Sequence, residues 1–179
     1  MTCNLVKIRS GALGLALCAF IIPVPALAQD GAQADGIIRH ATPGSSFPIA
    51  RAVEIPADAT VVHLSGAVPS VIDETAEQGS PEAYGDTEAQ TVSVLESIEG
   101  TLADLGFGMG DVFKMQVFLV APDGSYAMDF SGFMDGYTQF FGTDAQPDLP
   151  VRSVFEVAGL ASPAWLVEIE VAAVRPVQD

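Results

Sequence analysis

The spacing of apolar residues predicts two amphipathic helices. Apolar residues recur at helical spacing over residues 87–105 and again over residues 128–141, where the stripe is largely aromatic. Asp86 or Thr87 is suited to cap the start of the first helix, and Gly106 to adopt the left-handed conformation past its end. Both stripes are typical of helices that pack one face against a core.

Strand-like segments surround the two helices. Runs rich in β-branched and aromatic residues predict strands over residues 47–55, 59–68 and 111–120, a short edge strand near 36–40, and two strands joined by a short turn within 149–174. The acidic stretch 69–86 has no period and is predicted to be a loop. Because each helix connects two strands, we expect an α+β fold with a single mixed β-sheet and both helices packed on one face.

The beginning of the chain has the pattern of an export signal. Lys7 and Arg9 precede an apolar run that prolines interrupt, and the small residues at 26–28 suit signal peptidase. We therefore expect a signal peptide over residues 1–28, cleaved after Ala28, and a product that is periplasmic or secreted.

The remaining chain is expected to consist of an arm over residues 29–46 and one domain over residues 47–179. Both cysteines, Cys3 and Cys18, lie in the signal, so cysteine nucleophiles, disulfides and cysteine metal sites are excluded from the mature protein. Cleavage removes two of the seven basic residues and no acidic ones, so five basic residues face 23 acidic ones and the net charge goes from −16 to −18. This charge disfavours nucleic acid as a partner, because binding to phosphates needs basic groups. We expect no membrane partner after cleavage either.

Charged residues interrupt the last two predicted strands. Arg152 lies in the first of them and Glu168 in the second. Side chains alternate between the faces of a sheet, and if the bulky apolar residues lie under the helices, both charges project from the open face. Such a half-apolar face suggests an oligomer interface with a ligand site, whereas the alternative is a cross-strand ion pair on a solvated face.

Several motifs resemble one protein family. The sequence PVRSVFEVAGL at 150–160, followed by LVEIEVAAV at 166–174, resembles the C-terminal signature of the RidA (YjgF-type) imine/enamine deaminase family. Upstream, LSGAVP at 64–69 and DFSGFMDGYTQFFG at 129–142 are similar to the family in the same order. The resemblance implies a chorismate-mutase-like α+β fold and a homotrimer with a site in each subunit cleft. It also implies hydrolysis of 2-imino acids or enamines to 2-keto acids and ammonia, with no metal and no organic cofactor.

The resemblance gives roles to individual residues. Arg152 is expected to bind the carboxylate of the imino acid, and Glu168 to position the attacking water, which makes them the two catalytic positions. The other substrate-binding positions implied are Ile49, Ser65, Gly66, Phe118, Met134, Ser153 and Val154. Of these, Ile49, Met134 and Val154 replace a Tyr, an Asn and a Cys that are common in the family. Together with Phe118 and Trp165, the residues Ile49 and Met134 favour a substrate with an apolar side chain.

The sequence is also compatible with two other functions. A trimer of the same fold could bind small carboxylates or partner proteins without turnover, and some relatives are described as ribonucleases, which the acidic charge disfavours here. The only histidines are His40 and His63, and His63, in a predicted strand between valine and leucine, fits a structural role better than a catalytic one. The glycines at 106–111 precede a strand, so they predict a helix-to-strand turn rather than a phosphate loop.

Overall fold

A computed structural model describes residues 36–175. The expected signal peptide, the first part of the expected arm and residues 176–179 lie outside the described residues. Among the described helices, none is both long and apolar enough to cross a membrane.

The core of the fold is a four-stranded mixed sheet. Its strands are β3 (Thr60–His63), β4 (Val112–Leu119), β5 (Val151–Glu156) and β6 (Val167–Arg175). Their order is β3-β6-β4-β5, in which β4 and β5 are parallel and β6 runs antiparallel to both of its neighbours. Two further strands, β1 (Ile38–His40) and β2 (Ala52–Glu54), form a separate antiparallel pair. The short strand expected within the arm is therefore confirmed.

The helices are α1 (Thr87–Asp104) and α2 (Phe130–Tyr137). The Asp86 side chain caps α1 by accepting a hydrogen bond from the Ala89 N–H at 2.9 Å, and Gly106 has φ +76° just past the helix end, both as predicted. The second helix is shorter than the expected 128–141. It begins where Asp129 accepts from the Gly132 N–H, and the chain leaves it in tight turns after Tyr137.

Both helices cover the same face of the sheet, which confirms the predicted α+β fold. The buried cluster joins Leu95 and Ile98 of α1 and Phe133 of α2 to Val117 and Ile169 of the sheet. Apolar stripes on both helices meet alternate residues of the strands in this layer, and their burial stabilises the domain.

Arg39 fastens β1 to the four-stranded sheet. Its guanidinium donates to the carbonyls of Gly110 at 2.6 Å, Leu149 at 3.0 Å and Val112 at 3.1 Å. These carbonyls lie at the start of β4 and just before β5, so β1 is held against the edge of the sheet where β5 begins.

One expectation about the last two strands is wrong. The sequence predicts two strands joined by a short turn, but β4 lies between β5 and β6, and residues 157–166 connect the two. The buried side chain of Gln90 holds this connection: its amide donates to the carbonyls of Gly85 and Ala164, and its oxygen accepts from the Leu166 N–H at 2.7 Å. A polar side chain of α1 thus joins the 69–86 loop to the β5–β6 connection.

Candidate active site

The first half of the candidate site surrounds Arg152, on the strand at the edge of the sheet. Its guanidinium carbon lies 4.1 Å from the centre of the Tyr137 ring, 5.0 Å from that of Phe133 and 5.6 Å from that of Phe47. Nη2 contacts the sulfur of Met134 at 3.2 Å. We call these four neighbours and the arginine the Arg152 cluster. Rings placed around a guanidinium attract it through their negative faces but do not neutralise it.

Arg152 has no acidic partner within residues 36–175. No carboxylate lies within ion-pair distance of it there, and its Nη1 is buried with no hydrogen-bond partner among these residues. Burial lowers the pKa of Arg152, and the neighbouring Tyr137 opposes this effect. Since the guanidinium stays protonated in proteins, the cluster holds a partly desolvated positive charge whose N–H donors are not all used.

Helix α2 explains why the cluster forms. Phe133 and Tyr137 are one helical turn apart, so both rings point toward β5. The Tyr137 hydroxyl donates to the carbonyl of Pro48 at 2.9 Å, which fixes the segment carrying Phe47 and Ile49 beside α2. Burial raises the pKa of Tyr137 to about 12, although the charge of Arg152 acts in the opposite direction. The phenol is therefore neutral at physiological pH.

The second half of the candidate site surrounds Glu168 on the open face. Glu168 lies opposite Phe118 in the β4–β6 register. Gly66 flanks it on the other side, so close that a Cβ at position 66 would overlap the Glu168 carboxylate. Only glycine permits this approach. Phe118 in turn stacks on Phe155 of β5 with ring centres 6.0 Å apart.

The predicted location of Arg152 on the open face is wrong. Met115 of β4 lies opposite Arg152 in the β4–β5 pairing and opposite Val171 in the β4–β6 pairing. In the same two pairings, Phe118 lies opposite Phe155 and Glu168. Residues that face each other across strands share a face of the sheet. Arg152 therefore lies on the helix-covered face and Glu168 on the open face. The cross-strand ion pair between them is excluded within one chain, because the two also lie on strands that are not neighbours.

The other predicted site residues divide between the two halves. Val154 follows Arg152 on the helix-covered face, and Ile49 lies in the segment that Tyr137 holds. Ser153 is on the open face, and Ser65 directly precedes Gly66. A cavity of about 340 Å³ opens beside Phe47 and Ile49, between residues 39–50 and 147–149.

Sequence reasoning missed the aromatic members of the Arg152 cluster. The helical stripe predicts core positions for Phe133 and Tyr137, and no motif indicates a role for Phe47. The signal that could have revealed them is an aromatic pair at i and i+4 on the helix preceding the arginine strand. Within residues 36–175 no three His, Cys, Asp or Glu side chains are grouped closely enough to hold a metal ion.

Comparison with known proteins identifies the fold and the family together. A sequence model of the family described as Endoribonuclease L-PSP matches residues 43–175. The chain belongs to this RidA (YjgF-type) family. Escherichia coli K12 TdcF, which carries the name reactive intermediate deaminase, is 32% identical over 133 residues, or 74% of this chain and 91% of TdcF. The RidA family thus includes relatives named as deaminases as well as ones named as endoribonucleases.

Solved RidA-family structures have the same fold. The structure of E. coli TdcF with bound serine is 29% identical, has a TM-score of 0.51, and the match covers 69% of this chain and 91% of that one. The structure of YyfB from Yersinia pestis, of the Rid protein family, is 25% identical with a TM-score of 0.55 over 75% of this chain and 96% of that one. The α+β fold predicted from the motifs is therefore confirmed.

Proposed function

We propose that this protein hydrolyses 2-imino acids or their enamine tautomers to 2-keto acids and ammonia. The observation that carries the proposal is the Arg152 cluster, a partly buried guanidinium with no carboxylate partner in the described part of the chain. A small carboxylate would complete it, because a guanidinium fork binds a carboxylate through two parallel hydrogen bonds. The chain's similarity to proteins named reactive intermediate deaminases supports the same conclusion.

The proposed site is shared between subunits. Arg152 and Glu168 lie on opposite faces of one sheet, so one small substrate cannot touch both side chains of the same chain. We propose a homotrimer in which Arg152 of one chain faces Glu168 of the next. The stacked pair of half-buried Phe118 and exposed Phe155 on the open face supports such an interface, since Phe155 is 45% exposed in the single chain.

In the proposed reaction, Arg152 holds the carboxylate and thereby positions the adjacent C=N bond. Water attacks the imine carbon while Glu168 accepts a proton from it and passes that proton to nitrogen, giving a carbinolamine. Glu168 then transfers the remaining hydroxyl proton to nitrogen, so that ammonia leaves as the C=O bond forms. Backbone groups at Ser65 and Gly66 would steady the nitrogen, and Phe118 would form the apolar wall beside Glu168. The proposed chemistry is acid–base chemistry and needs neither a metal nor an organic cofactor.

A second candidate function is binding of small carboxylates without turnover. The structure of TdcF with bound serine favours it, because serine is a carboxylate that is not an imine. Ribonuclease activity is disfavoured. Of the five basic residues in the described region, Arg39 is engaged by backbone carbonyls, and Arg175 donates to the Gly106 carbonyl. Few basic groups remain for phosphates.

We also propose that the protein is exported and begins at Gln29 in its mature form. The basic residues, apolar run and small residues of 1–28 support this. Mass spectrometry of the exported product would detect a chain starting at Gln29, and a retained N-terminus would contradict the proposal.

The proposed function is tested with imines made in place by an amino-acid oxidase, following release of the keto acid. We expect wild type to accelerate release. Arg152→Ala and Arg152→Lys should lose roughly a hundredfold in rate, because a point charge does not replace a bidentate fork. Glu168→Gln should bind the keto acid and lose turnover.

Arg51→Ala provides a matched control, since Arg51 is an exposed arginine outside the Arg152 cluster. It should retain wild-type activity. If Arg152→Ala folds, assembles and retains most of the activity, Arg152 is only structural. If wild type binds keto acids but does not accelerate their formation from imines, the protein is a carboxylate-binding protein rather than an enzyme.

A further inference from the structure

Met134 differs from the other neighbours of Arg152 because it meets the guanidinium through a sulfur atom. Its Sδ lies 3.2 Å from Nη2, whereas Tyr137, Phe133 and Phe47 contribute ring faces. A thioether is a weak hydrogen-bond acceptor, so this contact leaves the donors of Arg152 available to a stronger acceptor. The same position holds the one atom of the cluster that mild oxidants can change.

We propose that Met134 is an oxidation site that controls anion binding by Arg152, an inference that rests on the proposed function of that arginine. A peroxide transfers one oxygen atom to Sδ, which loses two electrons and becomes the sulfoxide, while hydrogen peroxide is reduced to water. The sulfoxide oxygen is a strong, polar acceptor. Formed beside Nη2, it takes the hydrogen bonds that a substrate carboxylate would use.

Exposure favours Met134 over the core methionines. Met109 is 6% exposed and Met115 is 1% exposed, whereas Met128 and Met134 are partly exposed. Oxidation of methionine follows access of the oxidant to sulfur. Met128 therefore serves as a natural control: it is partly exposed, lies just before α2, and is not part of the Arg152 cluster.

The reaction that forms the proposed substrate also forms an oxidant. An oxidase that uses O₂ to convert an amino acid into a 2-imino acid releases hydrogen peroxide in the same turnover. A reaction of that class would supply both the imine that Arg152 binds and the peroxide that modifies Met134. Methionine sulfoxide is reduced back by dedicated reductases, so the modification is reversible.

The test treats the intact protein with hydrogen peroxide, maps the sulfoxides by mass spectrometry, and measures imine hydrolysis relative to each protein's own untreated rate. We expect Met134 to oxidise well before Met109 and Met115. Oxidised wild type should lose about tenfold or more in kcat/KM, as expected when a charge-assisted hydrogen bond to substrate is displaced. Met134→Leu should lose little activity on treatment, Met128→Leu should lose as much as wild type, and methionine sulfoxide reductase should restore the wild-type rate.

A second readout does not depend on activity. Phenylglyoxal modifies accessible guanidinium groups, and peptide mapping separates Arg152 from the other arginines. We expect peroxide treatment to slow labelling of Arg152 in wild type and not in Met134→Leu. The inference would be overturned if Arg152 of wild type were labelled equally fast before and after oxidation. It would also be overturned if peroxide treatment reduced the activity of Met134→Leu as much as that of wild type. If untreated wild type hydrolyses no imine, the proposed function fails, and the labelling result alone decides whether Met134 controls Arg152.

Discussion

At the scale of single residues, the candidate site depends on a cation that lacks a counter-charge. A buried arginine is normally paired with a carboxylate, because an isolated charge loses its hydration on burial. Arg152 instead has Tyr137, Phe133 and Met134 as neighbours, and its Nη1 has no partner in the described region. The rings offset only part of the lost hydration, which leaves a favourable place for an incoming carboxylate.

Tyr137→Phe is expected to remove a pH dependence of stability. The pKa of Tyr137 is raised to about 12, mainly by burial, compared with about 10 for an exposed phenol. Between these values the unfolded chain releases a proton that the folded chain retains. The stability that the neutral Tyr137 phenol contributes is therefore complete below pH 10. As the pH rises from there toward the folded-state pKa of about 12, the free energy of unfolding falls by about 1.4 kcal/mol per pH unit.

Urea unfolding of wild type and Tyr137→Phe between pH 9 and 11.5 measures this slope. Tyr126→Phe is the matched control, because the Tyr126 side chain is fully exposed. Identical slopes in wild type and Tyr137→Phe would show that the Tyr137 phenol is not held in its neutral form by the fold.

At the scale of elements, most of the fold could be predicted from the sequence. Periodicity gave the extent of α1 and the location of β4 and β6, and the Asp86 cap and Gly106 agreed with the boundaries of α1. These signals are local, because each depends on residues within one or two turns.

The face of β5 could not be predicted in the same way. Alternation shows which residues share a face but not which face meets the helices. The bulk of Phe155 suggested the covered side, yet pairing with β4 places Arg152 there and leaves Phe155 exposed on the open side. Strand order and register are long-range properties. The division of the candidate site between the two faces of the sheet therefore could not be predicted from the sequence.

Asp86→Ala is expected to lower the free energy of unfolding by about 1 kcal/mol, because the Ala89 N–H loses its capping acceptor. Asp104→Ala is the matched control in the same helix, where an exposed carboxylate near the C-terminus interacts unfavourably with the helix dipole. This control should be neutral or slightly stabilising. Thermal or urea unfolding compares the two, and equal losses would contradict the cap.

At the scale of the whole molecule, the geometry separates two ways of assembling the site. If both halves served one substrate within a chain, Arg152 and Glu168 would have to lie on one face. They lie on opposite faces, so a shared substrate requires a second chain. Activity and assembly are therefore coupled in the proposed function, and loss of the trimer should abolish hydrolysis even with every side chain intact.

Mixed trimers test this coupling directly. Arg152→Ala and Glu168→Gln should each be inactive alone. Refolded together in equal amounts, they should recover about one quarter of the wild-type activity, because one in four interfaces combines an intact arginine with an intact glutamate. Light scattering of the mixture is expected to give the mass of a trimer. If activity stays absent in proven mixed trimers, the two residues do not act across an interface.

The central position of β6 has a consequence for how the protein reaches its folded state. This strand pairs with both β3 and β4, so these two strands, which lie far apart along the chain, join one sheet only through β6. The sheet cannot close until β6 has been synthesised, and such non-local pairing makes folding slow. In the export that we propose, a chain that stays open until β6 emerges suits passage through a secretion channel that accepts only unfolded polypeptides.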